Sequence, residues 1–160
     1  HFDHIADHHL VRQRFPNSKL LIHRIDEPKL QRASMQTQLF GLPFVIQERD
    51  ADAYVEDGQR LKLGSLDVDV LFTPGHSPGH VMYHIPSENV LVGGDLIIGG
   101  AVGRTDLPDS DHDALVRSVR RVMSLPGHTR LLPGHGDVGT LDDERANNPY
   151  VRSMIADREA

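Results

Sequence analysis

Eleven histidines stand in this chain of 160 residues, and four of them fall within the first nine positions, HFDHIADHH. Several separated points offer metal ligands. They are the opening cluster His1, Asp3 and His4, then Asp7 with His8, and then the isolated His76, Asp95 and His135. Neutral imidazole and carboxylate are the side chains that hold divalent zinc, iron or manganese, and sites built from them leave a position open for water. Taken alone each residue is ordinary, since a histidine in a turn such as PGHG is commonly a capping or solvent-facing group. The joint order argues for a metal centre: a His/Asp cluster, then TPGH, then an apolar strand ending in GGD, then a strand ending in PGHG.

The rest of the composition narrows the chemistry. Seventeen Lys and Arg against 23 Asp and Glu give a formal charge of −6, so nothing in the chain as a whole attracts a phosphate backbone, and no local basic patch replaces it. Nucleic acid is therefore not an expected partner. No apolar run approaches the roughly 20 residues of a bilayer span, so no membrane partner is expected either. The absence of cysteine excludes a disulfide framework, a thiolate metal site, an iron–sulfur cluster and a cysteine nucleophile. The chain opens at His1 with neither an initiator methionine nor an apolar leader, which reads as the loss of an upstream segment; a cytoplasmic location is the expectation.

The elements that must position these residues read as one α/β domain over 1–160, because no linker, repeat or low-complexity tract divides the chain. A helix is expected from Asp7 to about Phe15, stopped by Pro16. A short strand follows at Lys19 to His23, and Asp26, Glu27 and Pro28 start another helix. Between Gly58 and Pro74, QRLKLGSLDVDVLFT alternates apolar and polar residues as a half-buried strand pair does. Val81 to Ile85 and Asn89 to Val92 read as two more strands, the second delivering Asp95 at its end. From His112 to Met123 the residues Leu115, Val116, Val119, Val122 and Met123 share one helical face, and a last strand at Arg130 to Leu132 delivers PGHG.

On these motifs the chain resembles the metallo-β-lactamase-fold hydrolases: TPGHSPGH at 73–80, VGGDLI at 92–97, GRTDLP at 103–108 and LLPGHGD at 132–137 stand in that family's order. GRTDLP, PGHG and the terminal ERANNPYV look most like the short, single-domain relatives of hydroxyacylglutathione hydrolase, also called glyoxalase II. The resemblance implies an αββα sandwich and two divalent ions, zinc first and iron or manganese as alternatives. It implies that His76 binds one ion and His135 the other, that Asp95 bridges them, and that Asp7 and His8, matching the DH of the family signature, bind the second. The signature reads HxHxDH, whereas this chain has HFDHIADH, with two extra residues. His1 then serves as the first ligand of the first ion, and either His4 or Asp3 as the second. Strands that precede the signature in the family are absent here, so an exposed apolar face and an unpaired edge are expected, covered by a homo-oligomer or by another segment. His80 in the SPGH turn is a candidate to support a ligand, and Arg104 with Asp106 to brace the loop after Asp95 or to orient substrate.

The implied chemistry is hydrolysis of a thioester such as S-lactoylglutathione. Two ions about 3.5–4 Å apart lower the pKa of a bridging water enough to give hydroxide near neutral pH, with no protein nucleophile, while Asp7 aims it. Other readings are a mononuclear iron persulfide dioxygenase, a β-lactam or lactone hydrolase, and an inactive or truncated module acting by association alone.

Overall fold

The structure is a computed structural model that describes residues 1–47 and 49–156. The chain divides into two compact units, His1–Val55 and Glu56–Ala160.

The first unit is built of short elements: α1 (Phe2–Ile5), α2 (His8–Arg14), β1 (Leu21–Ile22), α3 (Glu27–Gln31), α4 (Ala33–Leu39) and β2 (Ala53–Tyr54). The opening cluster, which precedes the helix expected from Asp7, forms the single turn α1, and α2 starts one residue after Asp7. Strands β1 and β2 pair in parallel through Leu21↔Ala53 and Ile22↔Tyr54. Pro28 sits in the first turn of α3, where its missing N–H costs no helical bond. Leu30, Ala33, Ile46 and Val55 are the buried hydrophobics here.

The second unit carries a six-stranded sheet in simple sequential order. Its strands are β3 (Arg60–Leu63), β4 (Leu66–Phe72), β5 (Val81–Ile85), β6 (Val90–Gly94), β7 (Arg130–Pro133) and β8 (Gly139–Thr140). The helices are α5 (His112–Val122), α6 (Leu141–Asn147) and α7 (Pro149–Ala156). Every pair is antiparallel except β6 with β7, which run parallel and are joined by a crossover containing α5. The mixed sheet and its helices make the α/β class expected from sequence.

Pattern explains which face is filled. Met82, Leu91 and Leu131 alternate onto one side of the sheet and meet Leu115, Val119 and Val122 of α5 together with Val151 and Met154 of α7. Helix α5 is fixed at its start by Asp111, whose carboxylate accepts the Ala114 N–H at 2.9 Å, and α6 by a reciprocal capping box between Thr140 and Asp143. On the other side of the sheet lie Val70, Tyr83 and Val92, aligned by register; Val70 is fully buried, whereas Val92 is 40% exposed. The edge strand β3 is charged rather than bare, with Arg60 paired to Asp69 and Lys62 to Asp67, a common protection against further strand addition.

Candidate metal centre

Topology brings three of the expected residues together in the second unit. Strand β4 is antiparallel to β5 and β5 to β6, so β4 and β6 point the same way, and β7 is parallel to β6. The carboxyl ends of β4, β6 and β7 therefore lie at one end of the sheet, where open α/β sheets place their sites. His76 follows β4, Asp95 follows β6 and His135 follows β7. Nε2 of His76 is 3.5 Å, and Nε2 of His135 3.7 Å, from the same Asp95 oxygen, Oδ2.

These spacings are long for an N–H···O bond, whose usual range is about 2.7–3.2 Å. Two ligands each about 2.0–2.2 Å from a tetrahedral ion stand about 3.3–3.6 Å apart, close to what is seen. The tautomer fits as well. Nδ1 of His76 donates to the Arg104 carbonyl at 2.9 Å, which leaves the lone pair on Nε2, the nitrogen facing Asp95. An imidazole, a carboxylate and a second imidazole arranged in this way can hold a divalent cation. His76 and Asp95 are buried, at 7% and 9% exposure, whereas half of the His135 side chain is open. The centre is walled on one side and reachable on the other.

His80 is not one of the converging groups but holds one in place. Its Nε2 accepts the Asp95 main-chain N–H at 3.0 Å, so Nδ1 carries the proton and donates to Oγ1 of Thr73 at 2.8 Å. Thr73 N–H in turn donates to the His80 carbonyl at 2.9 Å, closing the TPGHSPGH loop on itself. Helix α5 clamps the same loop: Ser118 Oγ donates to the Pro74 carbonyl and Asp111 N–H to that of Gly75. Gly94 N-terminal to Asp95 adopts φ +51°, and a Cβ there would meet His80 Nε2 at 2.7 Å. Gly103 lies so close that a Cβ would stand 2.0 Å from the Asp95 carbonyl oxygen. Both positions require glycine.

Arg104 and Asp106 form a two-point ion pair at 2.6 and 2.7 Å on the surface, and the guanidinium holds Asp106 down to about 2. Both side chains are exposed and each satisfies the other, which suits bracing of the loop whose carbonyl receives the His76 proton. Sequence reasoning missed Thr73 and Glu144. Glu144, buried in α6, accepts the Gly100 N–H and an N–H of Asn148, tying the loop beyond Asp95 to the helical layer. A carboxylate on the buried side of α6 was the available signal.

Within the first unit, His1 precedes α1 while Asp3 and His4 lie on it, with His4 Nε2 3.5 Å from Asp3 Oδ2. That separation repeats the one between His76 and Asp95. Asp7 is the N-cap residue of α2, and Nδ1 of His8 donates to the Ile5 carbonyl at 2.7 Å.

The chain is similar to known proteins over most of its length. The family model described as the metallo-beta-lactamase superfamily matches residues 1–135. Hydroxyacylglutathione hydrolase GloC of Haemophilus influenzae is 29% identical over 154 residues, covering 96% of this chain and 73% of its own. Among solved structures, the BLEG-1 B3 metallo-beta-lactamase aligns with a TM-score of 0.86 at 33% identity, over 94% of this chain and 73% of that one. TTHA1623 in a di-iron-bound form aligns with a TM-score of 0.82 at 36% identity, over the same shares.

Proposed function

This chain belongs to the metallo-β-lactamase superfamily, and we propose that its reaction is the metal-dependent hydrolysis of a thioester of the S-lactoylglutathione type. The observation that carries the proposal is the convergence of His76 and His135 on one oxygen of Asp95. The thioester class is supported by the relative named hydroxyacylglutathione hydrolase. A two-ion centre is supported by the di-iron form of a 36% identical protein, with zinc as the first candidate and iron or manganese suited to the same donors.

Bound divalent ions would supply Lewis acidity, bringing a water toward ionisation near pH 7 and polarising the thioester carbonyl. The chain's own part is to present ligands in the right protonation state. Arg104, through its carbonyl, fixes the His76 proton on Nδ1. His80 holds the main chain of Asp95, so that its carboxylate would be pre-positioned for a divalent ion. The open flank at His135 is the side from which substrate arrives.

In the first unit the signature assigns ligands by register. Its last four positions, HxDH, fit His1-Phe2-Asp3-His4 with no insertion, whereas matching Asp7 and His8 to DH requires two extra residues. We therefore assign His1, Asp3 and His4 to the signature. The paired Asp3 and His4 side chains support that choice. Asp7 and His8 then serve the start of α2, and the aiming of water assigned to Asp7 under the other register passes to Asp3.

The test is thioester cleavage by the metal-loaded chain, with S-lactoylglutathione as substrate and Asp95→Ala as control. Cleavage that disappears in the variant is expected. No cleavage, or an unchanged rate in Asp95→Ala, refutes the proposal. Turnover of a chromogenic cephalosporin in place of the thioester would move the assignment toward the lactamases.

A further inference from the structure

Two polar side chains of the second unit lie deep in the fold and take no part in the reaction proposed above. Glu144 in α6 is 6% exposed, and Asn148, between α6 and α7, is fully buried. Burying a carboxylate and an amide is costly unless each is hydrogen-bonded, so their partners show what the placement secures. Glu144 accepts the Gly100 N–H across both oxygens, at 3.2 and 3.3 Å, and Nδ2 of Asn148 at 2.6 Å. That same Nδ2 donates to the Ala101 carbonyl at 2.9 Å, while Oδ1 of Asn148 accepts the Tyr150 and Val151 N–H groups at the start of α7.

Gly100 and Ala101 belong to a small hairpin that leaves Asp95 at Leu96. It closes through the antiparallel bridge Ile97↔Val102 and through the Gly103 N–H, which donates to the Leu96 carbonyl at 3.1 Å. Its tip lies against the turn that carries His135. A Cβ on Gly136 would stand 2.7 Å from the Ile98 carbonyl oxygen, and one on Gly99 would stand 3.0 Å from the Asp137 nitrogen. His135 sits between two glycines with half of its side chain open, so burial fixes its ring less than that of His76, and its main chain must be held instead. On one flank the Gly134 N–H donates to the Gly94 carbonyl; the hairpin tip closes the other.

We propose that the buried Glu144–Asn148 pair is a positioning device, which pins the hairpin tip against Gly136 and thereby fixes His135 relative to Asp95. The inference rests on reading Asp95 and His135 as metal ligands and is independent of the thioester. Neither Glu144 nor Asn148 touches the reacting atoms; both act through the hairpin, whose root is the Asp95 segment and whose tip is the neighbour of His135.

Three variants of the whole chain test this. Glu144→Leu removes the acceptors, Asn148→Ser keeps an oxygen to start α7 but removes the donor to Ala101, and Glu144→Gln retains an acceptor. The readouts are zinc affinity by chelator competition and the His135 Cε1–H resonance of the metal-free protein, assigned by its loss in His135→Asn. Glu144→Leu and Asn148→Ser should each weaken zinc by about tenfold and shift the His135 resonance, whereas Glu144→Gln should stay near the parent in both. Met154→Ala is the control for lost stability, because it removes core volume and none of these bonds; its melting temperature should fall with both readouts at parental values. If Glu144→Leu does not fold, Asn148→Ser decides. Parental zinc affinity in the folded variants, a loss in Glu144→Gln equal to that in Glu144→Leu or Asn148→Ser, or the same changes in Met154→Ala overturns the proposal. If the parent takes up no zinc while the His135 resonance still follows Glu144 and Asn148, the metal reading falls and the positioning device stands.

Discussion

Replacing Gly94 by alanine isolates how much the ligand geometry depends on one missing side chain. At φ +51° an alanine pays about 1–2 kcal/mol for the left-handed conformation alone. Its Cβ would also lie 2.7 Å from Nε2 of His80, so the ring must move. That ring is fixed at both nitrogens, by Thr73 at 2.8 Å and by the Asp95 N–H at 3.0 Å, and losing two such bonds costs about 0.5–1.5 kcal/mol each. The expected total is about 2–5 kcal/mol in denaturant unfolding. Gly64, in the β3–β4 turn, is the matched control: φ is +61° and no atom lies within 4 Å of its ideal Cβ, so Gly64→Ala carries the conformational term only. Because the displaced ring releases Asp95, divalent-metal affinity in chelator competition should fall about 10- to 100-fold in Gly94→Ala and stay at the parent value in Gly64→Ala. Equal destabilisation by the two alanines, or parental metal affinity in Gly94→Ala, would refute the role given to His80.

Asp3→Ala and Asp7→Ala separate the two registers of the signature: metal content by elemental analysis is expected to drop in the first and hold in the second, and the reverse pattern would restore Asp7 and His8 as ligands. His84 supplies a pH signature independent of the metal centre. Burial in β5 lowers its pKa, with Asp69 offsetting part of the effect, so below about pH 6.5 the unfolded chain takes up the proton first and stability declines as pH falls toward the depressed native value. His84→Gln should show a shallower loss of melting temperature between pH 7.5 and 5; an unchanged slope would count against the burial argument. Glu144→Leu should cost about 1–3 kcal/mol, because the Asn148 amide loses a buried acceptor; a stability equal to that of the parent would show that the loop at Gly100 is not held there.

What could be read from the chain beforehand follows the range of the interactions involved. Strand β4 is found within the alternating stretch between Gly58 and Pro74, and α5 where five apolar residues share a face above the Asp111 cap, since both patterns are complete within neighbouring positions of the chain. The turn α1 escaped notice because it is one turn long and buries no residue, so no apolar stripe marks it. The supporting role of His80 was half visible, in that a histidine beside a ligand motif invites it. Which nitrogen accepts, and from which N–H, depends on a strand fifteen positions away.

The hardest feature to foresee was the coincidence of three strand ends. PGHG meets GGD because β6 and β7 pair in parallel, and parallel pairing demands a crossover; the intervening residues 95–129 carry α5 and the GRTDLP loop, so separation in sequence is the price of adjacency in space. The main-chain bond from Gly134 N–H to the Gly94 carbonyl at 2.7 Å extends that pairing one step past the regular strands and sets His135 beside Asp95. His76 arrives by a different route, two antiparallel turns that return β4 to the same direction. The crossover then contributes the Arg104 carbonyl that selects the His76 tautomer, and α5 contributes the Ser118 hydroxyl that clamps the loop carrying His76. One connection thus brings the strand ends together and fixes the protonation state of the ligand. Lengthening GRTDLP by even one residue should therefore weaken metal binding without disturbing the sheet.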